Sequence, residues 1–157
     1  EHGNAAARVQ LLPVRSAIGF QPGQFGFLSL HVKGLREPHP FTLAGAPAAD
    51  GRIVFVIRAL GDYTLKLLAE IKTGMHVAIY APFGRFERRP GSESEIWIAG
   101  GVEISPFLAW LDDPEAGFEH VTLFYFFTPG RGFPSPGELA EITQARGAKL
   151  VCIARGA

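Results

Sequence analysis

Up to Phe86 the chain is cut by glycine and proline into short apolar runs, and only one run has a helical period. Residues 8–12 alternate polar and apolar side chains, the period of a half-buried strand. Residues 27–32, 41–44, 52–60 and 75–80 predict further strands. They are separated by a turn at 19–26, a charged Gly/Pro loop at 33–38, a stop at Gly45 and Pro47, and the hairpin signal Asp50–Gly51. Leu65, Leu68 and Ile71 recur at spacing three, with Leu67 beside them, which predicts a short helix over 64–72. About six short strands with one helix is the signature of a small antiparallel barrel.

The style changes after a polar stretch at 87–95 containing Pro90–Gly91, which reads as a domain boundary. Residues 96–99 predict a buried strand, Gly100–Gly101 a turn, and 105–111 a helix with Pro106 at its first position. A strand at 121–127, a helix at 136–146 and a strand at 150–154 follow. Alternating strands and helices build a parallel α/β unit. Three strands are few for a free-standing parallel sheet, so this unit is expected to be partial. The expectation is therefore β + α/β: a six-stranded antiparallel barrel in residues 1–88, then a partial parallel α/β nucleotide-binding domain in 95–157.

Apolar residues make up 47% of the 157, enough for a core and too many for a disordered chain. Gly (19) and Pro (12) follow no period, which excludes collagen. Fifteen basic residues balance fifteen acidic ones, so nucleic acid is not an expected partner. A single cysteine, Cys152, rules out a disulfide framework and allows a reducing compartment. No apolar run approaches the roughly 18 residues that span a bilayer, and no signal peptide is expected at the start. The histidines His2, His31, His76 and His120 have no metal-ligand spacing, so no metal site is expected. They read as strand or loop residues.

Three segments can carry chemistry. In the first, His39-Pro40-Phe41-Thr42 followed by Leu43-Ala44-Gly45, Phe41 suits a flat ring and Thr42 a ring nitrogen. The small Ala44–Gly45 suits close approach to the backbone. The same residues also read as a plain strand between prolines. In the second, Gly61-Asp62-Tyr63-Thr64 opens the predicted helix. Exposed N–H groups, the dipole and the Arg58 fork favour a phosphate there, although a simple turn capped by Thr64 or Asp62 has the same sequence. In the third, Gly100–Gly101 ends a strand and Ser105–Pro106 starts a helix. This is the usual nucleotide position of an α/β sheet, and equally an ordinary strand-to-helix turn.

Taken in order, Pro22-Gly23-Gln24-Phe25, His39-Pro40-Phe41-Thr42, Gly61-Asp62-Tyr63-Thr64, Ala81-Pro82-Phe83-Gly84 and Gly100-Gly101-Val102-Glu103-Ile104-Ser105-Pro106-Phe107 resemble the ferredoxin-reductase-like family. Within it they are most similar to the dehydrogenase region of NADPH oxidases and ferric reductases. The resemblance implies FAD on a Greek-key barrel, reduced by NADPH or NADH. Phe41 would pack on the flavin ring, and Thr42, the catalytic candidate, would hydrogen-bond near its N5. His39, with Pro40 in the same motif, would help bind the phosphate arm, and the 61–64 turn would hold the pyrophosphate. Gly100, Gly101 and Ser105 would face the dinucleotide pyrophosphate, with Pro106 starting the helix. Arg131 hints at NADPH. Electrons would pass to haem or ferric iron, through a transmembrane haem domain or another acceptor, on the cytoplasmic side. Two alternatives are a soluble reductase feeding an oxygenase or ferredoxin, and a flavin-binding or interaction module without productive dinucleotide binding. No iron–sulfur cysteine set is present, which weighs against a fused oxygenase reductase.

The chain departs from that pattern at Glu103, where the family usually has glycine. A carboxylate there adds bulk and repels anions. The family's later Cys-Gly-Pro-type segment is also not in this sequence, and the N-terminal side looks one strand short. Cys152 is expected to be a buried core thiol, and Asp112–Asp113 a solvated helix end.

Overall fold

The computed structural model describes residues 6–89, 91 and 93–156; His2, together with Pro90 and Ser92 of the expected boundary, lies outside the described residues. The elements are strands β1 (Ala6–Leu11), β2 (Phe25–Leu30), β3 (His39–Thr42) and β4 (Ile53–Arg58), helix α1 (Asp62–Glu70) and strand β5 (Val77–Phe83). Strand β6 (Glu95–Gly100), a 3-10 turn (Gly101–Ile104), helix α2 (Ser105–Leu111), β7 (Val121–Phe127), α3 (Pro136–Ala145) and β8 (Lys149–Ala154) follow.

The first five strands are antiparallel. β1 pairs with β4, and β2 lies between β3 and β5. An isolated bridge between Leu43 and Phe55 ties the two sheets together. Among the described residues this half has five strands where six were expected. Alternation along β2 sends Leu28 and Leu30 inward, where they meet Phe55 and Ile57 of β4 and Leu67 of α1. Helix α1 begins two residues before its predicted start. The Thr64 hydroxyl accepts the N–H groups of Leu60 and Gly61 at 3.0 and 3.1 Å and closes the turn ahead of it.

The second half is a parallel sheet in the order β6-β7-β8. Both connecting helices pack on one face of this sheet, as crossovers of one hand along β6-β7-β8 require. There Phe107 and Trp110 of α2 and Leu139 of α3 close over Trp97, Leu123 and Tyr125. The other face is open, with Ile96 68% and Ile98 66% exposed, although parallel sheets are normally covered on both sides. Helix α3 starts where a capping box forces it to. The Ser135 hydroxyl accepts the Glu138 N–H at 3.3 Å, and the Glu138 carboxylate accepts the Ser135 N–H at 2.8 Å.

The two halves are joined by a packed seam. Trp110 Nε1 donates to the Pro22 carbonyl at 3.0 Å, and the Ala46 N–H donates to Asp112 Oδ2 at 3.0 Å. Ala44, Val54 and Val56 pack against Val102, Leu108 and Phe133. This corrects two expectations. Asp112 is not merely a solvated helix end, because it caps a barrel amide. Ala44 and Gly45 are small so that α2 can approach, since a Cβ on Gly45 would lie 3.3 Å from Asp112 Oδ2.

Cys152 is also corrected: it is exposed rather than buried. It lies on β8, which among the described residues is one of the two edge strands of its sheet.

Candidate functional site

Strand β3 sets the first segment. His39 and Phe41 pair with Leu28 and Gly26, whereas Pro40 and Thr42 pair with Phe27 and Phe25. Successive residues leave a strand on opposite faces, so Phe41 and Thr42 diverge. The half-buried Phe41 ring reaches the barrel core, 6.0 Å from the Phe55 ring. Thr42 lies at the strand end, opposite Phe25.

The second segment folds back onto the first. The His39 imidazole stacks on the Tyr63 ring with centroids 3.4 Å apart and planes 12° from parallel. The Tyr63 hydroxyl donates to the carbonyls of Glu37 at 3.2 Å and Leu28 at 3.4 Å. Burial, with a smaller push from the Glu37 carboxylate, raises the phenol above its ordinary pKa, so it stays a donor.

Tyr63 is therefore an anchor between β2, the loop before β3, and α1. The first N–H groups of α1 lack intrahelical acceptors, as at any helix start. Gly61, before them, would carry a Cβ with nothing within 4 Å. An open glycine ahead of free amides fits the phosphate arm of a dinucleotide. The exposed Asp62 carboxylate stands in the same first turn.

Arg58, expected beside that turn, reaches the other half. A Cβ on Gly101 would lie 3.5 Å from Arg58 Nη1. Its Nε is buried and has no hydrogen-bond partner. Such an orphan donor is costly unless an acceptor arrives, which fits an anionic ligand. Arg58, Gly100, Gly101, Glu103, Arg131 and Arg155 are among the residues lining a cavity of about 230 Å³. It lies at the carboxyl ends of β6, β7 and β8, where open α/β sheets bind nucleotides. Gly101 has φ +56°, a left-handed conformation that favours glycine.

Not every expected residue of the third segment faces this cavity. Ser105 is 3% exposed, and its hydroxyl donates to the Val102 carbonyl at 2.7 Å. It closes the 3-10 turn. Pro106 stands in the first turn of α2, where its missing N–H costs nothing. Among the described residues, no group of three or more His, Cys, Asp or Glu side chains is placed to hold a metal ion. A larger cleft of about 530 Å³ runs between the halves past Val56, Leu108 and Ile142, and touches the first segment only at Ala44.

Sequence reasoning missed Arg155, whose only signal was a basic residue directly after a parallel strand. It also missed the work of Pro22-Gly23-Gln24. Besides the Trp110 bond to Pro22, a Cβ on Gly23 would lie 1.9 Å from the Phe86 carbonyl oxygen. Gln24 Nε2 donates to the Gly84 carbonyl at 3.2 Å, and the Gln24 carbonyl accepts the Leu43 N–H at 2.9 Å. The segment fastens β2 to the residues after β5 and to β3.

Comparison with known proteins gives the following. Residues 8–121 match the model of a family described as an FAD-binding domain. Methane monooxygenase component C of Methylosinus trichosporium is 32% identical over 107 residues, 66% of this chain and 31% of that protein. Ferric reductase transmembrane component 5 of Saccharomyces cerevisiae is 34% identical over 90 residues, 54% of this chain and 13% of that protein. The solved FAD/NAD-binding domain of nitric oxide dioxygenase from Vibrio cholerae superposes with a TM-score of 0.83 at 20% identity, over 100% of this chain and 71% of that one. At that identity the likeness is one of fold. The chain spans about a third of the length of the first curated relatives it matches.

Proposed function

The chain belongs to the FAD-binding domain family, and from that premise we propose that it takes electrons from NADPH or NADH and passes them through FAD to haem or ferric iron. It is an FAD-dependent reductase module; the donor, the acceptor and the residue roles are the proposal. The observation that carries it is the meeting of the segments. His39 stacks on Tyr63 and joins the two flavin segments, while Arg58 at the end of β4 faces Gly101 of the dinucleotide loop.

When bound, the flavin supplies two-electron chemistry with the nicotinamide and one-electron chemistry with the acceptor. The protein's part is to hold and align. The open Gly61 and the free amides of α1 hold the flavin pyrophosphate. The His39–Tyr63 stack sets the β3 motif beside that helix. The Thr42 hydroxyl at the strand end would be the hydrogen-bond partner near N5, while Phe41, which leaves β3 on the other face and packs on Phe55, would reach the flavin only with the part of its ring left outside the core. Gly100 and Gly101 admit the dinucleotide phosphates, with Arg58 and Arg131 as counter-charges. Pro106 fixes where α2 begins.

The likeness to ferric reductase transmembrane component 5 favours a haem or iron acceptor, with the module on the cytoplasmic side of a membrane as part of a larger protein. No helix among the described residues is long and apolar enough to cross a membrane. The likeness to methane monooxygenase component C favours a second reading, a reductase that feeds an oxygenase.

Absorbance of the FAD-loaded chain after removal of free flavin tests the reading. Retained flavin that bleaches under anaerobic NADPH or NADH supports it. Retained flavin that does not bleach turns the reading toward a binding module. Reoxidation by ferric citrate, compared with that by an oxygenase component, separates the two acceptors.

A further inference from the structure

The dinucleotide reading leaves Glu103 unexplained, because a carboxylate on a phosphate-binding loop repels its ligand. The structure supplies an opposing charge. A Cβ on Gly100 would lie 3.3 Å from Arg155 Nη2 and 3.5 Å from Glu103 Oε2, so the two side chains converge over the same glycine from opposite elements. Glu103 comes from the 3-10 turn after β6, and Arg155 from the residue after β8. The Arg155 N–H donates to the Phe127 carbonyl at 2.7 Å, which fixes residue 155 against the end of β7 and lets its side chain cross to β6. Glu103 and Arg155 are not among the ion pairs within 4.0 Å. They face the same space without closing it.

Resting on that reading, we propose that Arg155 is a positioning residue that neutralises Glu103 at the Gly100–Gly101 loop, so that the paired phosphates of a pyridine dinucleotide are accepted beside a carboxylate. The charges lining the cavity support this. Arg58, Arg131 and Arg155 stand against Glu103 alone, an excess of two positive charges. A pyrophosphate linkage brings one negative charge per phosphate, so the excess matches it. Without Arg155 the match is lost, and Glu103 faces the incoming phosphate unopposed. Removing Glu103 as well restores the excess, so the two side chains must act as a pair.

Calorimetric titration of the FAD-loaded chain with NADP+ and with NAD+ tests the pairing without turnover. Arg155→Gln should weaken binding roughly tenfold, the scale of one charge-assisted hydrogen bond. Glu103→Gly should tighten it, and Arg155→Gln in the Glu103→Gly background should cost roughly threefold or less. Arg155→Lys keeps the charge and should recover much of the loss. A matching thermal midpoint in each variant shows that the fold is intact. Equal loss from Arg155→Gln in both backgrounds overturns the pairing while leaving the dinucleotide reading in place. No binding of either dinucleotide, in wild type and in Glu103→Gly alike, overturns both.

Discussion

The His39 imidazole lies flat on the Tyr63 ring, with centroids 3.4 Å apart, although twenty-three residues of chain separate the two. The contact links the two segments expected to hold opposite ends of the flavin. Tyr63→Ala should therefore raise the dissociation constant for FAD roughly tenfold, at the upper end of what an aromatic pair contributes. Tyr63→Phe keeps the ring and loses only the bonds to Glu37 and Leu28, so it should cost roughly threefold or less. Titration by flavin fluorescence distinguishes them. Equal losses would assign the effect to the hydroxyl rather than the stack.

Gly23 has φ +97°, and a methyl group there would overlap the Phe86 carbonyl. Gly23→Ala combines left-handed backbone strain with a clash against main chain, so we expect a loss of about 2–4 kcal/mol in urea unfolding. Gly19→Ala is the control, because nothing lies within 4 Å of its Cβ position. It should change stability by no more than about 0.5 kcal/mol.

Glu95 Oε2 accepts Arg88 Nε at 3.0 Å and Trp97 Nε1 at 3.1 Å, while Oε1 accepts Arg88 Nη2 at 3.0 Å and lies 3.0 Å from His120 Nε2. Burial alone would raise the carboxyl pKa, but the hydrogen bonds from Arg88, His120 and Trp97 hold it below the ordinary value. A lowered folded-state pKa gives stability that is present above the ordinary carboxylate range and lost as pH falls through the folded value. Glu95→Gln should cost about 3 kcal/mol at neutral pH, because it leaves the Arg88 guanidinium enclosed without its counter-charge. Its stability should also fall less steeply in acid than that of the wild type. Parallel pH profiles for the two proteins would remove Glu95 from the acid transition.

The exposed Cys152 thiol is held above its ordinary pKa by partial burial. Its thiolate, the reactive form, is scarce at neutral pH. A thiol reagent should label one site on the native chain slowly at neutral pH and faster as the pH rises. Labelling seen only in denaturant would contradict its exposure.

The sequence carried the order of elements well, because glycine and proline mark strand ends and the two helices of the α/β half have clear starts. Pro106 and the Ser135–Glu138 pair are local signals that need no tertiary context. Residues that act between distant segments were not legible. Ala44 and Gly45 look like a ligand's approach until Asp112 is seen against them. Arg88 and Glu95 look like charges in a linker, yet they form a buried pair with side chains only 9% and 11% exposed. Arg58 was assigned to the turn nearest it in sequence, but a long side chain at a strand end can reach a loop forty-three residues on. Cys152 was placed in the core on its apolar neighbours, since the sequence does not show which strand becomes the edge.

The seam at Trp110–Pro22 and Asp112–Ala46 leaves little for a hinge to act on. With both halves bonded across the same short helix and packed through Val54, Val56 and Leu108, neither can rotate without breaking the other's hydrogen bonds. The barrel and the α/β half should lose their structure in a single calorimetric transition. The distance between the α1 turn and the Gly100–Gly101 loop is then set when the chain folds, before any nucleotide arrives. On the proposed reading, the two loops would meet their nucleotides at a spacing already fixed by the seam rather than by a closure of one half on the other.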